Sequence, residues 1–97
     1  MRMRKKKNLA PRMEACGAYL IRDPFALRGR WRELMPEARE LRVELGCGKG
    51  RFTHGTAAAE PNVLFIAIEM VPDAMVVAME RVTEQRLSNV FFIDADA

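Results

Sequence analysis

The run Glu44-Leu45-Gly46-Cys47-Gly48-Lys49-Gly50 and two later acids, Glu69 and Asp96, are the positions whose residue types and spacing could do chemistry. Alternating glycines let the backbone turn sharply and allow a ligand to lie against the main chain. An acid just before such a turn, with others at comparable points downstream, offers negative charge and hydrogen-bond acceptors to whatever occupies it. The occupant therefore carries positive charge or donates through hydroxyl or amino groups. On the turn alone, a ligand-free tight turn with Glu44 as an ordinary strand-end charge is an equally good reading.

Three nucleotide motifs share glycines of this kind, and the residues separate them. A phosphate-gripping loop needs Gly-x-x-x-x-Gly-Lys followed by Ser or Thr, whereas Val43 stands at the first glycine position and Gly50 follows Lys49. A dinucleotide fingerprint, Gly-x-Gly-x-x-Gly, would put glycine at position 51, where the chain has Arg51. The remaining pattern, Glu-x-Gly-x-Gly-x-Gly, sets a carboxylate beside the turn, which favours a cation and repels a pyrophosphate. S-adenosyl-L-methionine carries an ammonium and a sulfonium and no phosphate, so it is the cofactor this pattern suits. Glu69 falls nineteen residues after Gly50, where doubly wound folds place the acid that accepts hydrogen bonds from ribose hydroxyls. Its bland alternative is favourable charge at the start of the next helix. Asp96 follows the third apolar run, a level at which a carboxylate or the adjacent backbone can meet the adenine edge. Together the expected cofactor-binding residues are Glu44, Gly46, Gly48, Glu69 and Asp96.

These residues need elements to hold them. Leu41 to Leu45 (LRVEL) reads as a short strand running into the glycine turn, Arg51 to Ala59 as a helix stopped by Pro61-Asn62, and Val63 to Ile68 (VLFIAI) as a buried strand. Val71, Met75, Ala78, Met79 and Val82 recur at helical spacing, with Asp73, Glu80, Arg81 and Glu84 largely off that face and Pro72 suited to the first turn. Ser88-Asn89 breaks that helix, and Val90 to Ile93 (VFFI) is a third strand. The order strand, helix, strand, helix, strand predicts an α/β fold: the first half of a Rossmann-like, doubly wound parallel sheet over residues 41–97. The three acids would then open on one carboxyl edge, where such sheets bind ligands.

Residues 1–40 read differently, as a basic arm with one or two short helices broken at Pro11, Gly17, Pro24, Gly29 and Pro36. Met1 to Arg42 carries twelve Lys or Arg against five acids, while Val43 to Ala97 carries four against eight, so the net charge of +3 divides into +7 and −4. Such a leading segment suits a polyphosphate partner, since each cation near a phosphate releases a counterion. With 49% hydrophobic and 30% charged residues the composition is that of a chain that folds. Cys16 and Cys47 form no Cys-x-x-Cys pair and lie near no histidine at ligand spacing, so neither a disulfide framework nor a metal site is expected. The basic start is followed by Pro11, Arg12 and Glu14 rather than an apolar core, and no run is long enough to span a bilayer. The expected setting is soluble and cytoplasmic. His54 and Lys49 read as surface residues, Cys47 as a small turn residue with no base beside it in sequence, and Met75 and Met79 as core.

With these residues in hand the chain resembles the bacterial tRNA (guanine-N7)-methyltransferase family nearly end to end. The resemblance rests on Met1-Arg2-Met3-Arg4, Gly29-Arg30-Trp31, Val43 to Phe52 (VELGCGKGRF), Pro61, Ile68-Glu69, Ser88-Asn89-Val90 and Asp96-Ala97. The glycine motif alone is generic to methyltransferases, and the other marks in register are more specific. The resemblance implies that Glu44, Glu69 and Asp96 contact S-adenosyl-L-methionine, that Gly46 and Gly48 shape the pocket, and that the basic arm helps hold tRNA. The family continues with a fourth strand bearing Asp-Pro-Trp-Pro and a tRNA-facing carboxyl half, neither present here. The expectation is therefore a truncated chain that leaves its first strand as an open edge and transfers no methyl group alone, its catalytic residues lying beyond Ala97. Two alternatives differ in class: a methyltransferase with a substrate other than tRNA, and a non-catalytic RNA-binding module driven by the arm.

Overall fold

The computed structural model describes residues 9–46, 48 and 51–94. Three strands, β1 (Glu40–Leu45), β2 (Val63–Glu69) and β3 (Val90–Asp94), form one parallel sheet in the order β1-β2-β3. Helix α2 (Arg51–Ala59) joins β1 to β2, and α3 (Pro72–Glu84) joins β2 to β3. The expected succession of elements is present, each strand one residue longer than its apolar run. Before β1 come α1 (Leu9–Ala15) and three single-turn 3-10 helices at Gly17–Tyr19, Pro24–Leu27 and Trp31–Leu34. Among the described residues no helix is long and apolar enough to cross a membrane.

Alternation along the strands divides the core into two layers. Val63, Phe65 and Ala67 of β2 and Val90 and Phe92 of β3 pack with Ala57 of α2 and with Met75, Ala78, Met79 and Val82 of α3, all buried. Leu64 and Ile66 point the other way and pack with Ile21 and Met35, flanked by Leu27, Trp31, Leu34, Leu41, Phe91 and Ile93. The segment before β1 thus covers the second face. It also reaches the first: Met13 and Tyr19 pack on the helix-side core, the Tyr19 hydroxyl donates to the Leu87 carbonyl at 2.6 Å, and Arg12 pairs with Glu80 of α3 through Nε at 2.8 Å and Nη2 at 2.5 Å. Glu80 holds the Arg12 guanidinium all the more firmly in its charged form. Leu20 bridges Phe92, and the Ile21 N–H donates to the Phe92 carbonyl at 2.8 Å, covering part of the outer edge of β3.

Two side chains of the second crossover differ from their expected places. Asp73, expected off the buried face of α3, is buried in its first turn, where the helix dipole favours an acid. Val71, expected on that face, stands just outside the helix at the N-cap and is exposed.

The join between α2 and β2 depends on a residue that reads in sequence only as a breaker. Asn89 is buried, and its Nδ2 donates to the carbonyls of Ala57 at 3.0 Å, Glu60 at 3.0 Å and Val63 at 2.9 Å. One amide group therefore satisfies the end of α2 and the start of β2, while the Asn89 carbonyl accepts from the Phe65 N–H at 2.8 Å. These bonds fix where both crossovers enter the sheet.

Candidate functional site

The carboxyl end of the sheet is built by three successive strand ends. At β1 the ladder runs on into the glycine turn, the Gly46 N–H donating to the Ile68 carbonyl at 2.7 Å. Gly46 at φ +68° and Gly48 at φ +56° then adopt left-handed backbone that other residues rarely tolerate. Among the described residues nothing comes within 4 Å of a Cβ built at either, so the requirement at both positions is conformational.

Glu69 ends β2 and is only 8% exposed. Its Oε1 accepts from the Gly48 N–H at 2.7 Å and its Oε2 from the Val71 N–H at 3.0 Å. One carboxylate therefore ties the turn after β1 to the entry of α3. A carboxylate has about four acceptor sites, and these two bonds use two of them. Glu44, half-buried, lies across from Ala67 in the β1–β2 register, two residues before Glu69. Its Oε1 accepts from the buried Thr53 hydroxyl of α2 at 2.5 Å. By strand alternation Glu44 and Glu69 both belong to the helix side of the sheet.

Of the expected site residues, Glu44, Gly46, Gly48 and Glu69 converge on this rim. Asp96 lies outside the described residues, as do Cys47 and Lys49. His54 is half-buried on α2, and Met75 and Met79 are core. Two residues not singled out from the sequence join the site. Thr53 orients Glu44, and Asp94 pairs in register with Glu69 across β2 and β3. The parity of the third strand, with Phe92 facing the helices, was the available signal for Asp94. Asp94 also lines a cavity of about 390 Å³ with Leu20 to Phe25.

The rim can therefore present carboxylate oxygens of Glu44 and Glu69 beside the glycine turn. That set suits a ligand with cationic and hydroxyl groups, the chemistry S-adenosyl-L-methionine carries. Among the described residues there is no group of three or more His, Cys, Asp or Glu able to hold a metal ion.

A parallel sheet crossed by helices, with a glycine turn after the first strand and an acid closing the second, defines a Rossmann-like methyltransferase fold. Residues 38–97 match the family described as "Putative methyltransferase", and the chain belongs to that family. Over its whole length it is 41% identical to the tRNA (guanine-N(7)-)-methyltransferase of Geobacillus kaustophilus and 40% identical to that of Geobacillus thermodenitrificans. It spans 45% of the length of each. Among solved structures, an antibiotic-related methyltransferase superposes with a TM-score of 0.61 at 24% identity, over 70% of this chain and 36% of the other, a likeness of fold.

Proposed function

We propose that this chain is the cofactor-binding portion of a tRNA (guanine-N7)-methyltransferase that uses S-adenosyl-L-methionine. The observation that carries the reading is the Glu69 carboxylate bound to the Gly48 N–H, which draws the glycine turn and the second acid into one rim. The curated relatives of that name, matched along the whole chain, support the specific substrate. The basic leading segment is consistent with a tRNA partner, and a tRNA-modifying enzyme would work in the cytoplasm.

When bound, the cofactor would supply an electrophilic methyl group on sulfur. The protein's share is to hold and orient. Glu69 would accept from the ribose hydroxyls with its remaining acceptor capacity, Glu44 would set negative charge near the cationic groups, and Gly46 and Gly48 would let the ligand approach the main chain. Asp96 would meet the adenine edge. Guanine N7 offers an in-plane lone pair and loses no proton before attack, so positioning outweighs general-base catalysis and none of these acids need react.

A graft tests the reading. This chain would replace the matching amino-terminal stretch of the Geobacillus kaustophilus relative, and nucleosides from treated tRNA would be analysed by mass spectrometry. The expected result is 7-methylguanosine from the graft and its loss with Glu69→Ala. A folded, tRNA-binding graft that modified another position, or was indifferent to Glu69→Ala, would contradict it.

A further inference from the structure

Between Arg22 and Arg32 the chain carries four arginines, at 22, 28, 30 and 32, against one acid, Asp23, and two aromatic residues, Phe25 and Trp31. Its apolar residues are not all used by the core. Leu27 and Trp31 pack on the second face of the sheet, but Phe25 is 85% exposed, a large ring held in water on the turn Pro24–Leu27. The turn that presents it is braced: Pro24 sits at its first positions, and the Asp23 carboxylate accepts from the Ala26 N–H at 3.3 Å. On one side Phe25 lines the cavity of about 390 Å³ with Leu20 to Pro24 and Asp94; on the other it lines a second, of about 240 Å³, with Pro24, Arg28 and Trp31. All four arginines are exposed; Arg22 lies 3.6 Å from Glu14 and Arg30 pairs with Glu33 at 3.2 Å, exposed ion pairs that a phosphate could replace.

We infer that Arg22–Arg32 is a docking surface for unpaired RNA, with one unstacked base lying on Phe25 and the flanking phosphates meeting Arg28, Arg30 and Arg32. The choice of RNA rests on the function proposed above, and the layout of the surface supports it. The larger cavity has apolar walls in Leu20, Ile21 and Pro24, with Arg22 and two carboxylates, Asp23 and Asp94, at its polar edge, a set able to donate to and accept from the edge of a base. The arginines follow along the chain from Phe25, where phosphates would run. An aromatic face beside a basic track is the combination that binds single strands, stacking being indifferent to base identity and the cations supplying a salt-dependent term. Because Asp94 is in register with Glu69, this surface adjoins the rim assigned to the cofactor.

Fluorescence anisotropy with a labelled, unmodified tRNA, at several salt concentrations, tests the inference without any methyl transfer. Phe25→Ala should weaken binding about tenfold, within the range for losing one stacked base, and leave the salt dependence unchanged. Phe25→Tyr should bind as the parent does, whereas Phe25→Leu, which keeps the apolar bulk, should behave as the alanine variant. Arg28→Gln should lower the slope of log affinity against log salt by about one. Unchanged thermal melting of the Phe25 variants would confirm that they fold, as its exposure requires. If the parent binds tRNA and Phe25→Ala binds equally well, this surface is refuted and the function proposed above stands. Self-association lost in Phe25→Ala with tRNA affinity intact would make it a protein contact and refute it likewise. A parent that does not bind tRNA would overturn this surface, while the function proposed above, which assigns the chain to the cofactor, is decided by the graft.

Discussion

The two faces of the sheet are covered by different means. On one, α3 lays a regular apolar stripe, and α2 its Ala57, against Val63, Phe65, Ala67, Val90 and Phe92, and all are buried. On the other, single-turn helices from the leading segment cover Leu64 and Ile66 but leave Leu41, Ile68, Phe91 and Ile93 partly open, with Val43 at 58% and Leu45 at 77% exposure. A shallow apolar trough of about 230 Å³ remains there between Trp31, Val43 and Ile93. Glu44, Glu69 and Asp94 share the alternation of the closed face. The acids that would hold a ligand therefore stand on the better-determined side, where packing fixes strand and helix ends before any ligand arrives.

The sharpest way to break this contrast is to delete neighbouring rings of opposite alternation. Phe92→Ala empties the helix-side core and should cost about 3–5 kcal/mol, a large part of the total stability of a small domain. Phe91→Ala, half-buried on the other side, should cost roughly half of that or less. Equal losses in denaturant unfolding would show that the faces are equally packed.

Asn89→Ala comes next. It leaves the carbonyls of Ala57, Glu60 and Val63 without their side-chain donor, at a cost of about 1–3 kcal/mol. Asn89→Asp should be worse, because a carboxylate would face three carbonyl oxygens without an N–H to offer. An Asp variant as stable as the parent would mean that the amide does not organise the helix side.

At the rim the expected change is smaller and local. Glu69→Gln keeps only one carbonyl oxygen for the two backbone donors, so about 1 kcal/mol should be lost. Hydrogen exchange should quicken at the Gly48 and Val71 amides and stay unchanged in β2. Uniform quickening would indicate instead that Glu69 supports the whole fold.

The smallest effect belongs to the outer end of β1. Arg42 donates to Glu40 at 2.5 Å and to Glu60 at 2.6 Å, with its guanidinium 5.8 Å from the Phe65 ring. The hydrogen bond from Arg42 holds the Glu40 carboxyl below its usual range. Its contribution is accordingly present above the ordinary carboxylate value and disappears as pH falls through the lowered one. In Glu40→Gln the melting temperature should fall slightly near neutrality and lose part of its acid dependence, the difference shrinking in high salt. A difference that grew on acidification would reverse the assignment.

The unequal covering also explains what could be read in advance. The strands and α2 and α3 were legible because unbroken apolar runs, a helical repeat and glycine or proline punctuation agree. The second layer was not, because the four-residue spacing of Leu27, Trp31 and Met35 belongs to no continuous helix, being cut into single turns around Gly29, and tertiary packing alone brings them to Ile21. At the candidate site, the meeting of Glu44, Gly46, Gly48 and Glu69 on one rim was legible from type and spacing. The Glu69 bond to the Gly48 backbone was not, since a side chain capping a peptide group twenty-one residues away leaves no pattern in the sequence. Thr53 escaped for the same reason, its hydroxyl having meaning only once α2 is laid beside β1.

Titration of isotope-labelled protein with S-adenosyl-L-methionine, followed by amide resonances, probes the claim on which the rest depends. Saturable shifts concentrated at Gly46, Gly48, Glu69 and Val71 are expected, strongly reduced in Glu69→Ala. Saturable shifts confined to the second face around Trp31 and Ile93, or shifts at the rim that Glu69→Ala leaves intact, would contradict it.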